Sequence, residues 1–199
     1  MPNKQLNSVM MIAYLKSARR QFEYYRLLGE KAMGQLSDEQ LFQQPNEETN
    51  SIAIIVKHLW GNMLSRWTDF LTTDGEKPWR ERDAEFVNDL QGRESLMQHW
   101  VDGWDCLFAA LDSISDNDLE RIIYIRNEGH TILEAINRQI AHYSYHVGQM
   151  VFLAKMLKND QWQTLSIARN QSAGYNAGKF SQEKGERHFT DEWLDKDKS

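Results

Sequence analysis

The chain has 199 residues, enough for one domain with a sizeable core and short for two. Hydrophobic residues make up 41% and charged residues 26%, an ordinary globular balance that excludes a disordered or fibrous chain. The 23 basic and 29 acidic residues give a net formal charge of -6 with no basic stripe, so nucleic acid is not an expected partner.

The N-terminal residues Met1 to Lys4 lead into the apolar run Met10 to Leu15, followed by Lys16, Arg19 and Arg20. That order is not that of a signal peptide, and no apolar stretch reaches the roughly 18 residues a membrane span needs. Cys106 is the only cysteine, so no internal disulfide can form, which suits a reducing compartment. Cys106 also lies off the apolar stripe of its segment and reads as a bystander rather than a catalytic thiol. The chain reads as cytoplasmic, with no membrane contact.

Scarce proline and few β-branched clusters favour helix. A first helix is expected from about Leu6 to Leu36, with Val9, Ile12, Leu15, Phe22, Tyr25 and Leu28 recurring at steps of three and four. The pair Arg19-Arg20, with Glu23 a turn later, reads as a solvated face. Ser37-Asp38-Glu39-Gln40 resembles a capping box and should start a short helical turn that stops at Pro45. A second helix runs from Asn50-Ser51 to about Thr72, with a stripe from Ile52 to Phe70. Glu76 to Gln91 is charged, lacks periodicity and contains Pro78. It reads as a long loop, and loops of that length in a compact domain are often functional.

A third helix covers roughly Arg93 to Ile114, and its Trp100 and Trp104 are expected in the core rather than on a ligand platform. Arg121 to Arg126 is β-prone and Asn127-Glu128-Gly129 looks like a turn, so a short strand or extended connection is expected. Thr131-Ile132-Leu133-Glu134 is a second capping box and opens a fourth helix to about Lys158. Asn159 to Ser199 reads as an irregular tail. Its Ile167, Tyr175, Phe180, Phe189, Trp193 and Leu194 are apolar enough to dock on the helices. The expected architecture is all-α: one domain over 1–199, with a core of four long helices over about 6–158.

His142 and His146 are four residues apart, so on a helix they are neighbours about 5–6 Å apart at Cβ. Such a pair can grip one metal ion, and imidazole suits Zn, Ni, Cu and Fe rather than Mg or Ca. Both are rotated by roughly 100° from the apolar stripe of their helix, sharing a flank with Arg138 and Gln149. His58 lies on the polar flank of the second helix, near Asn62. These positions suit the walls of a cleft, but spacing alone does not bring His58 to the other two. A zincin motif is absent because Tyr143 stands where its Glu would be. No Glu-x-x-His pair, phosphate-binding glycine loop or nucleophile elbow is present.

In two stretches, Ser51 to Asn62 and Asn137 to Gln149, the sequence resembles the DinB-like (DinB/YfiT) superfamily, four-helix proteins of bacteria. That pattern has one His in the second helix and H-x-x-x-H in the last long helix. The resemblance spans roughly Leu6 to Lys158. It implies an up-up-down-down four-helix bundle, often a homodimer, in which His58, His142 and His146 hold a divalent transition metal such as Zn or Ni. Trp60, on a stripe margin, would permit a dimer seam. Members with known activity transfer low-molecular-weight thiols such as bacillithiol or mycothiol, or isomerise maleylpyruvate.

A metal-dependent thiol S-transferase acting on small electrophiles is therefore the leading expectation, with an open coordination position for chemistry. Asn62, Arg138 and Gln149 would orient substrate or ligands, and Arg169 in the tail would meet an anionic thiol. Two alternatives stand beside it. One is a hydrolase or isomerase using metal-activated water, although its motif shows no carboxylate base. The other is a non-catalytic metal-binding or stress-related module, with His99 or His130 closing the site as a fourth ligand.

Overall fold

The computed structural model describes residues 4–115 and 117–194, with side chains from residue 14 onward. The reading of Met1 to Asn3, the stripe positions Val9 and Ile12, and the last five residues lie outside the described residues. The fold is mainly helical with one small sheet, in the order α1 (Lys4–Gly34), α2 (Asp38–Phe42), α3 (Ile52–Trp67), α4 (Gly92–Asp112), β1 (Ile122–Ile125), β2 (Glu128–Thr131), α5 (Ile132–Lys158), α6 (Ser172–Phe180) and α7 (Asp191–Leu194).

Local chemistry accounts for the element starts. The Ser37 hydroxyl accepts from the Gln40 amide while Gln40 Oε1 accepts from the Ser37 amide, so both capping-box bonds are made. Thr131 and Glu134 do the same for α5. Ser51 caps α3 by accepting from Ile54 N at 3.2 Å. On α1, Arg19–Glu23 and Arg26–Glu30 pair one turn apart, and the same arginines reach Asp112 and Asp105 of α4, so Arg19 bridges two helices rather than lying on a purely solvated face.

The four long helices, α1, α3, α4 and α5, close on one cluster of buried side chains. α1 lies against α5 and α3 against α4, while α3–α5 and α1–α4 contacts join the two pairs. Trp100 and Trp104 are fully buried and meet edge-to-face at 5.4 Å, as expected of core residues. Phe22 of α1 packs on Tyr143 of α5 at 5.8 Å and on Trp104 at 6.3 Å. Burying each such ring contributes about 1.5–3 kcal/mol.

Three expectations need correcting. α3 ends at Trp67 rather than Thr72, and the chain leaves through turns in which Asp69 takes a positive φ of 48°. The extended connection is an antiparallel hairpin whose turn is Arg126-Asn127, not Asn127-Glu128-Gly129, which lies one residue further on. Both turn residues have positive φ, 56° and 61°, the two-residue geometry whose twist matches paired strands. Among the described residues the tail contains two short helices, and Ile167 and Phe180 remain exposed at 40% and 86%. The tail docks on α1 through Arg20 to Asp191 at 2.5 Å, Ser17 to His188 at 3.1 Å and an edge contact of Phe189 on the Tyr24 ring at 5.9 Å.

The charged loop between α3 and α4 is sewn to the hairpin by Asp74. One carboxylate oxygen of Asp74 accepts from the amides of Glu76 and Arg126, and the other accepts from that of Asn127. Gly75 N donates to Tyr124 O at 2.7 Å. The loop is thereby tied to the hairpin, and its 3-10 turn packs on α3. No helix among the described residues is long and apolar enough to cross a membrane.

Candidate metal centre

His58 lies on α3, one turn before Asn62, and His142 and His146 lie one turn apart on α5. Packing of α3 on α5 brings the three imidazoles to one point. His142 Nε2 is 3.3 Å from His58 Nε2 and 3.1 Å from His146 Nε2. Among the described residues these three form the one cluster of metal-ligating side chains.

The outer ring nitrogens fix the tautomers. His58 Nδ1 donates to Glu85 Oε2 at 2.9 Å, and His146 Nδ1 donates to Gln149 Oε1 at 2.9 Å. Both residues therefore aim an Nε2 lone pair at the shared point. A proton on His142 Nε2 can satisfy only one of them, so the three nitrogens are not a closed hydrogen-bonded set. A cation satisfies all three at once. Tetrahedral zinc, at about 2.0–2.1 Å from each nitrogen, requires ligand nitrogens about 3.3 Å apart; the two His142 spacings of 3.3 and 3.1 Å match this, and all three ligand atoms lie within 4.8 Å of one another. The donor set fits a borderline transition metal.

Electrostatics agree with that fit. Burial, reinforced by the neighbouring imidazoles, lowers the His142 pKa to about 3; burial and then His58 lower that of His146 to about 4. Both are neutral at pH 7, the form that binds metal. Burial by itself would raise the Glu85 carboxyl. Hydrogen bonds from His58 and Arg80, with the Arg80 charge, outweigh that and hold it below the usual range. Glu85 is thus an ionised acceptor gripped on both sides, with Arg80 Nε at 2.7 Å and Nη2 at 3.0 Å. Phe86 stacks on the His58 ring at 5.1 Å.

A model of the family described as protein of unknown function DUF1572 matches residues 10–171. The chain belongs to this family. DUF1572 falls within the DinB-like clan. No curated protein and no solved structure matches the chain.

The remaining site expectations in this DUF1572 chain divide. Asn62 lines the cavity beside the imidazoles, and its Oδ1 accepts from the Tyr143 hydroxyl, which accepts in turn from Trp67 Nε1. Arg138 lines the same cavity, and Gln149 orients His146 from behind. Arg169 is an exposed turn residue outside the cavity lining. Neither His99 nor His130 joins the cluster. His99 bonds Ser95 O and packs on Trp60, and His130 sits beside Arg138. Trp60 thus has a partner within its own chain. Cys106 faces Thr68 and Met63, and burial raises its thiol pKa, which suits an inert residue.

Sequence reading missed Glu85, Arg80 and Phe86. They come from the loop between α3 and α4, where a 3-10 turn over Asp83–Phe86 presents Glu85 and Phe86 to α3 and Arg80 reaches Glu85 from the preceding segment. Charge density in a long loop was the only available signal. Gln139, which also lines the cavity, could have been found, because it lies one turn before His142 on the same face of α5.

Proposed function

We propose that this chain is a metal-dependent enzyme of the DinB/YfiT type, a thiol S-transferase acting on small electrophiles. In this reading α1, α3, α4 and α5 are the up-up-down-down four-helix bundle of that superfamily. His58, His142 and His146 hold a divalent transition metal, Zn or Ni, and a low-molecular-weight thiol is the co-substrate. The observation that carries the reading is the convergence of three imidazoles on one point in the wall of an open cavity, with no fourth protein ligand among the described residues. The metal, when bound, would supply Lewis-acid stabilisation of a thiolate at neutral pH.

The protein's own groups hold and orient. Arg80 fixes Glu85, Glu85 fixes the His58 ring, and Gln149 fixes the His146 ring. Phe86 covers one face of His58 and limits water there. The Trp67–Tyr143–Asn62 chain holds the Asn62 side chain at the cavity wall. A closed structural site is less favoured because His99 and His130 are engaged elsewhere. Water-based hydrolysis is less favoured because the nearby carboxylate, Glu85, is bound on both sides and is not free to take a proton.

The test is the rate of sulfur–carbon bond formation between a small thiol and 1-chloro-2,4-dinitrobenzene, in which chloride leaves and the thiol proton goes to buffer. Metal-loaded protein should exceed both the metal-free protein and the uncatalysed background, and His142→Ala should fall to background. A rate equal to background with every small thiol tried would reject the S-transfer reading.

A further inference from the structure

The chain is acidic overall, yet the cavity beside the three imidazoles is lined by Arg66, Arg80, Arg82, Arg126 and Arg138. They arrive from four separate segments: α3, the loop after it, the hairpin turn and α5. Two carboxylates pair with them. Glu76 Oε2 contacts Arg126 at 2.9 Å, Arg66 at 3.4 Å and Arg80 at 3.7 Å, and Glu85 takes Arg80. Five guanidinium groups thus face two carboxylates.

Arg82 and Arg138 have no carboxylate partner among the described residues. Arg82 lies over the Phe86 ring at 5.4 Å, and Arg138 Nη1 is 3.3 Å from His130 Nε2. Deeper in, the Arg80 side chain is only 2% exposed, and its Nη1 makes no hydrogen bond, its ion-pair contact with Glu76 Oε2 being 3.7 Å long. A buried guanidinium N–H without an acceptor is costly, and an oxyanion oxygen relieves that cost. Gln139 Oε1, also buried and without a donor, would accept from a hydroxyl or thiol on the same ligand.

We infer that the cavity binds a small substrate bearing carboxylate or phosphate oxygens, gripped by Arg80, Arg82 and Arg138 beside the three imidazoles. This deepens the reading of the cavity as a substrate site. Planar guanidinium forks match carboxylate and phosphate oxygens two at a time. The cavity volume of about 310 Å³ is at the small end of small-molecule sites, which suits a small ligand. The excess positive charge also draws anions in against the negative charge of the rest of the surface.

The test is calorimetric titration of the full-length, metal-free protein with inorganic phosphate and, separately, with succinate. Succinamide serves as the uncharged counterpart. At least one dianion should bind saturably and succinamide should not, and the preferred dianion names the source of the oxygens. The double variant Arg82→Gln, Arg138→Gln alters two exposed side chains, so the fold should survive. It should weaken binding roughly tenfold or more, as expected for lost charge-assisted bonds. Arg169→Gln, outside the cavity, should leave binding unchanged. Saturable binding of neither dianion, or equal weakening by Arg169→Gln, overturns the inference. Because no metal is present, failure here is distinguishable from failure of the metal assignment, which is read by metal uptake.

Discussion

At the residue scale, the site depends on groups one step behind the three imidazoles. A metal-binding ring needs its second nitrogen tied down, or the ring swings away from the ligand position. Glu85 does this for His58 across 27 residues of chain, and Gln149 does it for His146 across three. Only the second relation follows from helical spacing. Replacing Glu85 by Gln keeps the shape but removes the charge that binds Arg80. Metal affinity should fall roughly 10–100-fold, the usual cost of losing such a partner. Chelator competition measures this, with unchanged helical circular dichroism as the control. Unaltered affinity would show that Glu85 plays no part in positioning His58.

At the scale of elements, the decisive contact joins α3 to the loop after it. Gly61 lies on the same face of α3 as His58, and a Cβ there would fall 2.3 Å from Glu85 Oε1. The missing side chain is what lets the Glu85 carboxylate approach the helix. Gly61→Ala should therefore push Glu85 off His58 and weaken metal binding, although Ala is the better helix former by about 1 kcal/mol. The expected signature is a split. Chelator competition should show a clear loss of metal affinity, while the metal-free protein keeps its helix content. Full retention of affinity would contradict the close-packing account.

The elements also show what the sequence could and could not disclose. Both capping boxes and the starts of α3 and α5 were readable, because caps are local chemistry between residues three apart. The hairpin turn was misplaced by one residue because Arg126 takes a left-handed conformation that its side chain does not advertise. The end of α3 was overrun because apolar residues continue to Phe70, which is buried from a turn and not from the helix. Glu85 and Arg80 were out of reach because a loop has no periodicity to mark its inward side.

At the scale of the whole molecule, net charge gave a one-sided picture. The acidic sequence with no basic stripe pointed away from nucleic acid, and the one arginine it offered to an anionic thiol, Arg169, lies outside the cavity. The arginine cluster exists only after α3, the loop, the hairpin and α5 have come together. The meeting of His58 with His142, 84 residues apart, was likewise suggested by resemblance to a superfamily and not by spacing, and the packing of α3 on α5 brings it about. Metal binding to the folded state alone would also stabilise the whole fold by mass action.

The central claim is that the three imidazoles form one metal site. The most direct measurement is elemental analysis of purified full-length protein beside its His142→Ala variant. The account predicts about one transition-metal ion per chain in the wild type, with most of it lost in the variant. Equal metal content in the two proteins, or none in the wild type after incubation with Zn or Ni, would contradict it.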